Sequence, residues 1–138
     1  MKHRIVKQYI CDFCGKKGLS AGHMGKHERH CTMNPDRKCR MCILVSGVQP
    51  PMKELLILMP KPKVEIINDE FWEHEKCLNI EEGKEAVKII SKETENCPMC
   101  TYAVIRQRGW HPQDIFDYKK ECATFWNEYN KEQAIDDY

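Results

Sequence analysis

The chain has 138 residues, of which 31% are charged and 9% aromatic, with seven Gly and seven Pro, a composition that excludes a disordered polymer and leaves room for one substantial core with a small module attached. The net charge of +1 hides an asymmetry: residues 1–42 hold ten Lys/Arg against three Asp/Glu, a net of +7, and residues 43–138 hold twelve against eighteen, a net of −6. Met1 to Ile10 lacks the apolar stretch of a signal peptide, and the longest apolar run, Leu55 to Met59, falls far short of the roughly 20 residues that cross a bilayer, so neither export nor a membrane span is expected.

Six of the nine cysteines stand in three C-x2-C pairs, a spacing that suits thiolates on one metal better than disulfides between distant segments. The odd total points the same way, to a reducing compartment: the cytoplasm, or the nucleus of a eukaryotic source.

In chain order, the first unit is Cys11-x2-Cys14, twelve residues, then His27-x3-Cys31. A tight turn presents two thiols from a hairpin, and positions four apart on a helix put an imidazole and a thiol on one face, which closes a tetrahedron. His23 and His27 are also four apart, so His23 and His30 compete as ligands. These residues, with Tyr9 two positions before the first Cys, resemble the C2H2 zinc fingers in their C2HC variant. The resemblance implies a ββα finger over residues 1–34 with a Zn2+ on Cys11, Cys14, His27 and Cys31. The family's central Phe falls on Gly18 and its central Leu on Met24, which predicts a weak finger core unless Phe13 swings in. The resemblance also implies nucleic-acid contact from Ser20, His23 and Lys26, the family's base-reading helix positions, with Lys16, Lys17 and Arg29 as phosphate contacts, DNA before RNA. None of the three reading positions is arginine, so binding dominated by phosphate with little base reading is expected. A finger that only stabilises the fold, or docks protein, is the alternative.

Asn34-Pro35-Asp36 reads as a turn in a linker, Thr32 to Lys38, leading to a larger helical domain over residues 35–138. Cys39-x2-Cys42 begins a short segment that Pro50 and Pro51 break, and Met52 to Met59 reads as a short helix closed by Pro60 and Pro62. Val64 to Ile67 suits a strand, Asp69 to Cys77 a turn or two of helix, and Ile80 to about Thr94 an amphipathic helix carrying Ala86, Val87, Ile89 and Ile90. A further helix starts near Cys97 and stops at Gly109. The last helix opens at His111-Pro112-Gln113-Asp114 and repeats Ile115, Tyr118, Cys122, Phe125 and Tyr129 on one apolar face, which packs on the core or forms a seam for a partner helix. Trp72, Trp110 and Trp126 read as core or helix-packing residues before stacking platforms.

Cys39, Cys42, Cys97 and Cys100 complete a four-cysteine zinc site across 54 intervening residues, a metal clamp on a long loop and the second Zn2+ of the chain. His74 and Cys77, spaced H-x2-C, are a rival ligand pair, and Cys122 is expected as a small core residue. The fold class that follows is a small, zinc-stabilised, mostly helical α+β protein.

Two enzyme readings rank low. Cys97-Pro98-Met99-Cys100 resembles the C-P-x-C site of glutaredoxins, yet a helical stretch precedes it where that fold needs a strand. Two distant C-x2-C pairs resemble zinc-stapled HNH nucleases, yet His74 stands alone between Cys42 and Cys97. The order of finger, Asn-Pro turn, C-x-M-C, long insert, C-P-x-C and Ile105-Arg106-Gln107 is similar to small zinc-finger proteins of bacteriophages that have no assigned function. That resemblance implies a non-enzymatic accessory or regulatory protein in the host cytoplasm. Its partner would be nucleic acid, met through the basic finger, or a host or phage protein, met through the acidic body or the aromatic last helix.

Overall fold

The computed structural model describes residues 1–136 and side chains through residue 134. Six α-helices and two small antiparallel sheets make up the described part of a mostly helical α+β chain. No helix is long and apolar enough to cross a membrane.

The first sheet pairs β1 (Tyr9–Ile10) with β2 (Lys17–Gly18), Tyr9 facing Gly18, and α1 (Ala21–His30) follows. Ser20 caps α1, its Oγ accepting the His23 N–H at 3.3 Å, which satisfies one of the free donors of the first turn. Met24 is buried and packs with Tyr9 and Met33 around Cys11 and Cys31. A methyl group on Gly18 would stand 3.3 Å from Met24 Cε. The glycine where a finger of this kind carries Phe thus leaves the space that the flexible methionine fills. Phe13 does not swing in; it stays 40% exposed.

Beyond the linker come α2 (Arg40–Val45), α3 (Met52–Leu58), α4 (Ile80–Glu93), α5 (Pro98–Gln107) and α6 (Tyr118–Asp136). The main core is the meeting of α3, α4 and α5 through Met52, Leu55, Met59, Ala86, Val87, Ile90, Ala103, Val104 and Ile105. The α4 residues recur at the 3.6-residue period that makes one apolar face, whereas α5 is buried on most sides, its Ala103, Val104 and Ile105 being consecutive. Trp110 covers one end of this core: its ring lies on α4 at Gly83, where any Cβ would fall 2.7 Å from the indole, and its Nε1–H donates to Pro60 O at 2.7 Å. Arg108 Nε–H donates to Leu56 O and Met59 O, both at 3.0 Å, satisfying the Met59 carbonyl beyond the end of α3 and adding a donor to Leu56 O, which already accepts the Met59 N–H.

Three expectations are corrected. Asp69 to Cys77 is not helical: β3 (Val64–Asn68) and β4 (Glu73–Cys77) form a hairpin from Val64 opposite Cys77 to Asn68 opposite Glu73. Glu73-His74-Glu75-Lys76 offers no apolar stripe for a helix to bury, whereas pairing with the Val/Ile-rich β3 satisfies its backbone. Trp72, at the hairpin tip, is 71% exposed rather than packed, and Trp126 is also exposed, so Trp110 alone of the three is core. The last helix starts at Tyr118, not at Pro112; Pro112–Asp114 is a separate single 3-10 turn, and Ile115 belongs to the main core and not to the helix face. Asp117 supplies the new start, its Oδ1 accepting the Lys120 N–H at 3.2 Å. Tyr118, Cys122 and Phe125 then lie on one face towards α5, the tyrosine ring 4.7 Å from that of Tyr102.

Candidate metal centres

The hairpin β1–β2 and α1 build the first centre. Cys11 N–H donates to Lys16 O (2.8 Å) and Gly15 N–H to Cys11 O (3.0 Å), with Gly15 at φ +76°, a left-handed position that costs glycine little. This tight knuckle turns the thiols of Cys11 and Cys14 to one side, and α1 brings His27 and Cys31 to meet them. Cys14 Sγ stands 3.2 Å from His27 Nε2, and the donor atoms of all four lie within 4.8 Å of one another. A tetrahedral ion on sulfur and imidazole would set such a pair about 3.5 Å apart. Neither rival histidine joins them: His23 is exposed, and His30 Nδ1 lies 2.7 Å from Lys38 O. Burial raises the Cys11 thiol, but the backbone N–H groups of Cys14 and Phe13 draw it lower overall, while burial pushes Cys31 up to about 11.

The second centre joins the start of α2 to the start of α5. Cys39 caps α2 with its sulfur, which accepts the Cys42 N–H at 3.5 Å, and Pro98 opens α5 directly after Cys97. The chain reaches Cys97 through Glu95 and Asn96, both at positive φ (54° and 64°), and Thr101 Oγ1 donates to Cys97 O at 3.0 Å. A glutamate in that conformation costs energy, and the turn is held by backbone bonds from Glu95 N–H to Lys92 O, Asn96 N–H to Ser91 O and Cys97 N–H to Thr94 O. The sulfur pairs Cys39 with Cys97 and Cys42 with Cys100 stand 3.5 and 3.4 Å apart, and all four sulfurs lie within 4.8 Å of one another. These are not disulfides; all nine cysteines are free. Four thiolates on one tetrahedral ion would sit about 3.8 Å apart, so the cluster fits such an ion with minor adjustment. Among the sulfurs, contact with Cys100 above all lowers Cys39 and Cys97 and raises Cys42, while contact with Cys39 raises Cys100.

Arg37 gives an independent sign that this cluster holds negative charge. It is 3% exposed, its Nη1 lies 3.8 Å from Cys100 Sγ, and its Nε has no hydrogen-bond partner. Burying a guanidinium without compensation is expensive, and four thiolates around a divalent ion would supply that compensation. Its carbonyl accepts from Gln49 Nε2 (2.7 Å), whose Oε1 accepts the Cys39 N–H (2.6 Å), so one glutamine ties Arg37 to the first ligand.

The linker between the centres is held by the far end of α5. Arg106 Nη1–H donates to Thr32 Oγ1 at 2.7 Å, and Gln107 Nε2–H donates to Thr32 O and Asn34 O at 2.8 and 3.1 Å. Asn34, itself buried, donates to Glu28 O at the end of α1. Arg37 could have been suspected from its place two residues before Cys39; the grip of Arg106 and Gln107 on the linker has no local signal, because it joins residues more than 70 apart.

The remaining candidate residues stay apart. His74 is exposed on β4, with Nδ1 3.8 Å from Asp69 Oδ2, and the half-buried Cys77 donates its thiol proton to Asn79 Oδ1 at 3.4 Å; neither joins a donor group. Cys122 is half-buried against the four-cysteine cluster without entering it. Lys16, Lys17, Ser20, His23, Lys26 and Arg29 are all exposed, but the Ser20 hydroxyl is engaged as the helix cap. The chain matches no family model, no curated protein and no solved structure.

Proposed function

We propose that both centres hold Zn2+ as structural ions and that the chain is a non-enzymatic accessory protein whose basic amino-terminal finger contacts nucleic acid. Soft thiolate and imidazole donors in fours favour zinc over hard cations, and a set filled by protein atoms leaves no open position for substrate. The observation that carries the nucleic-acid reading is the finger's charge: Lys16, Lys17, Lys26 and Arg29 are exposed, and among the described residues no carboxylate forms an ion pair with any of them. Such a surface is attracted to phosphate with little sequence preference. The C2HC spacing, and the resemblance in motif order to small phage zinc-finger proteins, support the same reading, and a cytoplasmic place of action, the host's if the chain is phage-encoded, belongs to the proposal. The test is fluorescence anisotropy of the zinc-loaded chain with labelled duplex and single-stranded DNA and RNA. Binding that falls steeply as salt rises, with DNA preferred, is expected; no binding at low salt would remove the reading.

The second reading is a protein-binding adaptor, and one observation favours it. Phe71 and Trp72 at the tip of the β3–β4 hairpin are 94% and 71% exposed, among Asp69, Glu70, Glu73 and Glu75. Adjacent bare aromatics in an acidic setting suit a partner with a basic rim around an apolar pocket. Capture of one stoichiometric protein, unaffected by nuclease and abolished by Phe71→Ser with Trp72→Ser, would favour this reading over the first.

A further inference from the structure

Between the finger and the body runs a cleft of about 390 Å³ whose lining draws cations from four segments: Lys26 from α1, Arg37 and Lys38 from the linker, Arg40 from α2 and Arg106 from α5. No Asp or Glu lines it. Like charges brought together this way repel, and the zinc centres on either side relieve only part of that. A divalent ion on four thiolates leaves one centre doubly negative, and one on three thiolates and an imidazole leaves the other singly negative. Five cations exceed that sum.

The cations also divide by how they are held. Arg37 is buried against Cys100, and Arg106 is fixed on Thr32 and lies 6.0 Å from the centre of the Tyr102 ring. Lys26, Lys38 and Arg40 have exposed side chains, and among the described residues none is paired with a carboxylate. Fixed arginines at the base and three free cations at the rim are what a multiply charged, extended anion needs. The space equals the share of about thirteen liquid waters, more than one free phosphate group fills, and Met41 and Met99 add apolar walls that a sugar can face.

We propose that this cleft seats the phosphodiester backbone of a nucleic acid, with Lys38 and Arg40 of the body as contacts equal to Lys26 of the finger. The proposal rests on the nucleic-acid reading above and moves the main contact from the outer face of α1 to the junction of the two centres.

The test uses the full, zinc-loaded chain and labelled single-stranded and duplex DNA across a salt series. Lys38→Glu with Arg40→Glu is compared with Lys16→Glu with Lys17→Glu, which lie on the finger hairpin outside the cleft. Native mass spectrometry reads zinc content for each, and Lys38→Gln with Arg40→Gln replaces the first pair if charge reversal empties a centre. The cleft pair should lower affinity about tenfold or more, reduce the slope of log affinity on log salt by about two, and keep two zinc ions, with a smaller loss for the hairpin pair. Wild-type affinity in the cleft pair alongside a large loss in the hairpin pair would overturn the cleft and leave the nucleic-acid reading standing. Failure of the unaltered chain to bind any nucleic acid at low salt would overturn both. Competition by pyrophosphate at equal phosphate concentration would assign the cleft to a free phosphate and overturn the backbone claim; its failure to compete supports that claim.

Discussion

The two metal centres share a donor chemistry and differ in what surrounds them. In the finger, Cys11 and Cys31 are buried but Cys14 and His27 are half-exposed, and the apolar support amounts to Met24 with Tyr9 and Met33. In the body all four cysteines are buried, Arg37 and Gln49 stand behind them, and the α3–α4–α5 core lies next to them with its own apolar contacts. On the zinc reading, an ion in the first centre would be the main stabiliser of its module. The second closes a chain separation that a separate core already brings near closure, so the two ions should differ in what is lost with each.

The largest effect should come from emptying each centre in turn. Cys11→Ser should remove one zinc and unfold residues 9–31, since apparent zinc binding of roughly 10 kcal/mol or more supports a finger of this size, while amide signals of α3, α4 and α5 persist in NMR spectra. Cys100→Ser should also leave one zinc, but should disturb α2, the linker and the start of α5 and spare the finger's own fold. If either change emptied both centres, their independence would fail.

Trp110→Ala separates core from metal. Removing a ring that is 5% exposed should cost about 3–5 kcal/mol in urea denaturation and leave both zinc ions bound in native mass spectrometry. Loss of the body zinc would mean that core and centre form one cooperative unit.

Arg37→Met asks whether the guanidinium serves the thiolates. The body centre should lose about 10- to 100-fold in zinc affinity under competition by a chelator, with the finger unchanged; equal loss at both centres would point to a general folding defect. Lowering pH should act in a fixed direction at both, because protons compete with zinc for sulfur. Burial holds metal-free Cys31 at about 11, so zinc must displace its proton at neutral pH. The finger's affinity should therefore rise with pH, and the finger, with half-exposed ligands, should empty first on acidification. The smallest effect is Ser20→Ala, about 1 kcal/mol of finger stability from the lost cap, read as a lower melting temperature of the finger signals alone.

Much of this was legible from spacing. Cys11, Cys14, His27 and Cys31 lie within one local unit, and the two C-x-M-C and C-P-x-C pairs point to each other by elimination, so both donor groups could be written down before any fold was known. Helix α4 announces itself by period, and α5 by the Cys97 pair at its start and Gly109 beyond its end. The β3–β4 hairpin did not, because Glu73 to Lys76 is polar throughout and owes its conformation to pairing with β3, not to its own pattern. The true start of α6 was masked for a different reason: Ile115 has the right spacing for the helix face yet is held in the core by the turn at Pro112–Asp114. The cleft and the grip of Arg106 and Gln107 on the linker were invisible because they depend on segments that meet only after folding.

Helix α5 carries thiols of the body centre in its first turn and the Arg106 and Gln107 grip on the linker in its last. Ten residues of helix make a strut of about 15 Å, stiff enough that displacement at one end is felt at the other. A metal in the body centre should then be thermodynamically linked to the aim of the finger, and linkage runs both ways. A ligand that fixes the finger's orientation should tighten the hold on zinc in the body, and oxidation of the body thiols should leave the finger folded but free to turn.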